Sequence, residues 1–110
     1  MKLENILGLD SLEVVYEGKR ERDLSKVFCC DLLSIAMSKA PADGVWVTVM
    51  GNRNTLAVAT LADVACVVLA EGASFDEATI EQARTEGIAV LKTSGPVFDT
   101  ALLIHEALQA

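Results

Sequence analysis

Aromatic residues are scarce. They make up 5% of the 110 residues, while hydrophobic residues as a class reach 52%. The interior must then be filled by Val, Leu, Ile and Ala, a composition that suits helices packed on a sheet. Basic charge is scarce too, with 9 Lys and Arg against 16 Asp and Glu and a formal net charge of -7. A nucleic-acid backbone or an anionic membrane surface demands clustered Lys and Arg, so neither is an expected partner. The basic cluster Lys19-Arg20-Arg22 is interleaved with Glu17, Glu21 and Asp23 and reads as a solvated loop. No apolar run approaches the roughly 18 residues of a membrane span. Met1-Lys2-Leu3-Glu4-Asn5 lacks the apolar region of a signal peptide, and a cytoplasmic location is the expectation. Cys29, Cys30 and Cys66 are odd in number and show no C-x-x-C spacing, which indicates neither a disulfide framework nor a zinc site. The phosphate loop G-x-x-x-x-G-K-[ST] is missing, and no G-x-G-x-x-G follows an apolar run. A nucleotide-driven kinase and a dinucleotide enzyme are both disfavoured by that. Without a repeat, low-complexity tract or linker, one domain over residues 1–110 is expected, burying roughly 65% of the surface of its unfolded chain.

The most informative stretch runs from Val64 to Thr93. Val64-Ala65-Cys66-Val67-Val68-Leu69 is apolar without alternation, which suits a strand covered on both faces. A turn at Ala70-Glu71-Gly72-Ala73 follows, then a polar helix from Ser74 to Gly87, then Ile88-Ala89-Val90-Leu91. Strand, helix, strand in this order is a βαβ unit with parallel pairing and a right-handed crossover. Leu12–Tyr16, Lys26–Cys29 and Val45–Val49 supply further strands, the first near an edge. The first two of these are candidates for an antiparallel pair. A short N-terminal helix carries Leu3, Ile6 and Leu7 on one face, with Gly8 placed to end it in a left-handed conformation. Asp31 is placed to cap the helix that must stop before Pro41. Asn54 is placed to cap Thr55–Ala62, and Ser74 with Glu77 has the spacing of a capping box. A last helix starts near Pro96 and buries Val97, Ala101, Ile104 and Leu108. The sum is an α/β three-layer α/β/α sandwich on a mostly parallel sheet of about five strands, mixed if the first two strands pair antiparallel. The helices after Asp31 and after Asn54 are apolar almost all the way round. A helix of that kind is normally buried on every side, so a homodimer is expected.

Ligands collect at the carboxyl ends of parallel strands. The loops Gly51–Thr55, Glu71–Ser74 and Thr93–Pro96 end there and lead into helix N-termini, which favour anions. The candidate ligand-binding residues are Asn52, Arg53, Asn54, Gly72, Ser74, Thr93, Ser94 and Gly95. Arg53 offers a forked donor, with Lys92 beside the last loop. The competing reading is that Asn54, Ser74 and Ser94 only cap helices and the glycines only supply turns. Cys29 and Cys30 read as small buried hydrophobes rather than redox or metal-binding groups. Cys66 and Trp46 read as core, and His105 as a cation near a helix C-terminus. No catalytic residue, metal or cofactor is called for.

Cys30-Asp31-Leu32-Leu33-Ser34, the strand-and-turn Val64–Gly72, and Ile88-Ala89-Val90-Leu91-Lys92-Thr93 together resemble the DRTGG domain family over nearly the whole chain. The resemblance implies a fold similar to the N-terminal domain of bacterial HPr kinase/phosphorylase. The family also occurs beside CBS domains in pyrophosphatases and in phosphotransacetylase-like proteins, as a regulatory or dimer-forming module. Short members are found near iron-hydrogenase and electron-transfer genes, which implies a redox or hydrogenase-associated protein partner. The family's glycine-rich run is absent near Leu24-Ser25-Lys26-Val27, and its paired glycines are reduced to Gly72. The expected function is therefore a non-catalytic, homodimeric regulatory or interaction module sensing a small anion or nucleotide. The competing functions are a small phosphoryl- or acyl-handling enzyme using Arg53, Thr93 and Ser94, and an electron-transfer accessory protein using Cys29 and Cys30.

Overall fold

A computed structural model describes residues 1–109. The elements are α1 (Glu4–Leu7), β1 (Glu13–Tyr16), β2 (Val27–Cys29), α2 (Leu33–Lys39), β3 (Val45–Thr48), α3 (Arg53–Ala62), β4 (Cys66–Leu69), α4 (Glu77–Glu86), β5 (Ala89–Lys92) and α5 (Val97–Gln109). The sheet has five strands in the order β1-β5-β4-β3-β2. Strands β2 to β5 are parallel. Three crossovers in succession each move one strand in the same direction, and a right-handed crossover then puts α2, α3 and α4 on one face.

Because side chains alternate along a strand, each central strand feeds two cores. Trp46, Val67, Leu69 and Val90 meet Ala36 of α2, Leu56 and Ala59 of α3 and Ala83 of α4. Val45, Val47, Cys66, Val68, Ala89 and Leu91 face the other way, against Leu3, Ile6 and Ile104. Covering on both faces is the reason the central strands carry no polar alternation, and it makes the body a three-layer α/β/α sandwich with a mixed sheet.

The antiparallel partner differs from the expected one. β1 and β2 occupy opposite edges, and β1 pairs antiparallel with β5, Glu13 opposite Lys92 and Val14 opposite Leu91. Each βα unit places its strand beside the last, so the growing sheet leaves two free edges, those of β2 and β5, and β1 takes that of β5. The loop between β1 and β2 then crosses under the sheet, and it is less solvated than its charge suggests. Arg22 is only 17% exposed. Its guanidinium donates to Asp43 Oδ1 at 2.9 Å, to the Asp63 carbonyl at 2.7 Å and to Asp63 Oδ1 at 3.0 Å. Asp43 and Asp63 both have positive φ, 61° and 58°, in the turns before β3 and β4.

The helix ends also differ. Gly8 has φ −93° and is not left-handed. Asn52, rather than Asn54, caps α3, accepting from the Thr55 N–H at 3.1 Å. Asp76, rather than Ser74, caps α4, accepting from the Thr79 N–H at 2.8 Å. Phe75 is buried, and its insertion into the core keeps the chain extended through Asp76, so the helix starts later than the capping-box pattern places it. Hydrogen bonding from the Thr79 side chain and then from its N–H, helped by the Arg53 charge, holds the Asp76 carboxyl below its ordinary 3.8. A group whose folded pKa is depressed stabilises the fold above its unfolded pKa and loses that contribution as pH falls through the folded value. Asp76→Asn keeps a cap acceptor but has no proton to gain. Acid titration of stability should therefore fall less steeply below pH 3.8 in Asp76→Asn than in the wild type, and equal slopes in denaturant melts would contradict this.

Candidate functional site

The parallel strands β2 to β5 bring four loops to one edge of the sheet, those leading into α2, α3, α4 and α5. The antiparallel β1 adds a fifth segment, because Glu13 at its start lies opposite Lys92. The loops are tied to one another. The N–H of Glu71 donates to the Gly95 carbonyl at 2.9 Å, that of Gly72 to the Thr93 carbonyl at 3.0 Å, and that of Ala70 to the Thr48 carbonyl at 3.0 Å. Gly95 N–H donates to Thr93 Oγ1 at 3.1 Å. Two residues with positive φ in succession, Glu71 at 59° and Gly72 at 80°, turn the chain here. A Cβ on Gly72 would meet no atom within 4 Å, so glycine serves the backbone angle rather than a shortage of space.

Between β1 and these loops lies a cavity of about 370 Å³. Its wall includes Asp10, Ser11, Glu13, Gly72, Lys92, Thr93 and Ser94. Lys92 Nζ stands 3.7 Å from Glu13 Oε2. One basic and two acidic residues thus line the space, together with Ser11, Thr93 and Ser94.

Of the candidate residues, Gly72, Thr93 and Ser94 line this cavity, and Gly95 stands behind it through its bond to Thr93. Asn52 is spent on capping α3. Arg53 and Asn54 line a different feature, a groove of about 570 Å³ between α3 and α4 with Leu56, Ala57 and Leu61. Ser74 is exposed, and its backbone packs against Gly51. Arg53 is therefore not brought into one cavity with Thr93 and Ser94. Asp10, Ser11 and Glu13 were not among the sequence candidates. They join the site only through the pairing of β1 with β5, for which no local pattern exists.

The β2–α2 loop holds a further polar group. The Asp31 carboxylate does not cap α2, whose N-cap is Leu32 without a side-chain bond. Its Oδ1 accepts from the buried Thr48 hydroxyl at 2.7 Å and from the Val49 N–H at 3.1 Å. Beside it Cys29 is exposed, against the expectation of burial, while Cys30 is half-buried and Cys66 buried. Partial desolvation, then the charges of Asp31 and Cys30, push the Cys29 thiol up from its ordinary value. A raised thiol holds little of the reactive thiolate. Burial pushes Cys66 up as well. Trp46 is in the core as expected, its Nε1–H donating to the Cys30 carbonyl at 3.0 Å. His105 is exposed on α5. Among the described residues, no helix is long and apolar enough to cross a membrane.

The fold is similar to that of the CBS and DRTGG domains of the regulatory region of Clostridium perfringens pyrophosphatase, solved in complex with its activator, diadenosine tetraphosphate. The TM-score is 0.71 at 18% identity, and the match covers 96% of this chain and 46% of that one. This chain thus spans less than half the length of that solved chain. No curated protein matches the sequence. The DRTGG domain family model matches residues 9–107, from the segment that precedes β1 to the last turns of α5, and so takes in the whole mixed sheet and every loop at its carboxyl edge: the chain belongs to the DRTGG domain family.

Proposed function

We propose that this domain is a non-catalytic regulatory module that works as a homodimer and senses a nucleotide or related anion at the carboxyl edge of its sheet. The observation that carries this reading is the cavity between β1 and the β4–α4 and β5–α5 loops. Its chemistry suits a nucleotide better than a bare anion. Lys92 supplies one positive charge for a phosphate, while Asp10 and Glu13 accept hydrogen bonds from ribose hydroxyls or base N–H groups and would repel a small free anion. Ser11, Thr93 and Ser94 serve either role. Support comes also from the neighbour in fold, a regulatory region bound to a dinucleoside polyphosphate. The homodimer is supported by the apolar surface left in water: Leu61 of α3 is 74% exposed, and Leu32, Ile35 and Met37 around α2 are about half exposed.

Thermal-shift measurements with ATP, diadenosine tetraphosphate and inorganic phosphate test the sensing reading. A ligand held at a hundred times its Kd stabilises by about 2.7 kcal/mol, which is read as a rise in Tm of several degrees. The nucleotides should raise Tm, phosphate should not, and the gain should vanish in Lys92→Ala. No shift with any of the three would leave a protein-interaction module and remove the sensing role.

A further inference from the structure

Resting on the nucleotide-sensing reading, the class of ligand can be narrowed. We propose that the cavity beside β1 takes a nucleoside monophosphate in preference to a nucleoside triphosphate or a dinucleoside polyphosphate. The phosphate sits on Lys92 and Thr93, and the ribose hydroxyls turn toward Asp10 and Glu13.

The placement of hydrogen-bond donors sets the first limit. Glu71 and Gly72 have positive φ in succession, a turn of the sort that elsewhere gathers backbone N–H groups around a phosphate. Here those groups are already used. The N–H of Glu71 donates to the Gly95 carbonyl, that of Gly72 to the Thr93 carbonyl and that of Ala73 to the Ala70 carbonyl. The glycine turn therefore cannot cradle a phosphate chain, and the task falls to side chains at the end of β5. Thr93 Oγ1 accepts from the Gly95 N–H at 3.1 Å, which leaves its own proton to be donated. Lys92, half-buried, stands one residue before it. Together they make a subsite for one phosphate group.

Charge sets the second limit. Asp10 and Glu13 share the wall, and Glu13 Oε2 is 3.7 Å from Lys92 Nζ. One cation against two anions leaves the cavity net negative, in a chain of net charge -7. A first phosphate meets Lys92, and each further one meets carboxylates of its own sign. Size agrees. Ligand pockets run from about 300 to 1,000 Å³, and this one, at about 370 Å³, stands near the lower end. A dinucleoside polyphosphate would leave its second half in water.

Calorimetric titration of the full chain in EDTA, where no divalent cation offsets phosphate charge, tests the assignment. Adenosine monophosphate should bind about tenfold more tightly than ATP or diadenosine tetraphosphate, and more tightly than adenosine or the 2′-deoxy monophosphate. Thr93→Val should weaken the monophosphate several-fold and leave adenosine unchanged, and Thr93→Ser should restore it. Glu13→Gln should narrow the gap between monophosphate and ATP. Tighter binding of ATP or diadenosine tetraphosphate than of the monophosphate overturns the assignment and leaves nucleotide sensing standing. Equal loss of monophosphate and adenosine in Thr93→Val would overturn the phosphate subsite, because Thr93 would then only shape its loop. Absence of binding by every one of these compounds removes the sensing role and the assignment with it.

Discussion

Trp46→Ala should destabilise the domain by about 3–5 kcal/mol, the range for deleting a large buried aromatic side chain. Trp46 is fully buried in β3, at the centre of the core under α2 and α3. Its ring lies 6.4 Å from that of Phe28, tilted by 57°. A domain of this class is stable by only about 5–15 kcal/mol, so the loss takes a large share of the total. The indole N–H adds a second effect that the ring alone does not have. It satisfies the Cys30 carbonyl at 3.0 Å, the backbone group just before Asp31. Trp46→Phe keeps most of the apolar volume and removes that donor, so it should cost less, about 1–3 kcal/mol. Trp46 is the single tryptophan, which makes its fluorescence a probe of wild-type unfolding but not of either variant. Denaturant melts followed by far-UV circular dichroism give all three on one scale. A loss below about 1 kcal/mol in Trp46→Ala, outside the range for core truncation, would mean that the core closes over the gap and that β3 is not its centre.

Much of this frame was legible before any coordinates. The unalternating run Cys66–Leu69 is the strand at the centre of the sheet, because burial on both faces favours apolar residues at every position, and Val45–Thr48 and Ala89–Lys92 flank it as expected strands. Gly87 closes α4 as expected, and the structure shows that it does so in the left-handed conformation, φ +73°. What stayed hidden depends on contacts distant in the chain. Nothing in Glu13–Tyr16 names β5 as partner, and with that pairing unknown, Asp10, Ser11 and Glu13 could not be joined to Lys92 and Thr93. Caps were misplaced for a related reason. Asn52 and Asn54, or Ser74 and Asp76, are equally good cap residues in isolation, and tertiary burial of Phe75 decides between the second two. Asp31 has the look of a cap, but the Thr48 hydroxyl and the Val49 amide across the sheet edge hold it instead. Arg53 and Asn54 were grouped with Thr93 by loop order alone, while the start of α3 turns them toward the α3–α4 groove.

Gly51→Ala should be the most damaging change at the carboxyl edge, although it adds one methyl group. The new Cβ would overlap the Ser74 carbonyl oxygen, and it would stand 3.0 Å from the Ser74 carbonyl carbon and 3.2 Å from its nitrogen. All of these are backbone atoms, so no side-chain rotation relieves the clash. The β3–α3 and β4–α4 loops must separate instead. That movement would work against Phe75, anchored in the core one residue on, and against the bonds that tie Ala70 to Thr48 and Gly72 to Thr93. The expected loss is about 1–3 kcal/mol, the usual cost of overpacking a tight contact. Gly72→Ala provides the contrast. Its Cβ would enter open space, and its cost comes from φ +80° alone, about 1–2 kcal/mol. The two variants should therefore separate by readout. Gly51→Ala should lower Tm and abolish the nucleotide-induced shift together, because it pushes on the β4–α4 loop, which frames the cavity through Gly72 and Ala73. Gly72→Ala should lower Tm less and alter nucleotide affinity directly, since Gly72 is part of the cavity wall. Equal Tm and equal nucleotide response in Gly51→Ala and wild type would show that the two loops are not held together at Ser74.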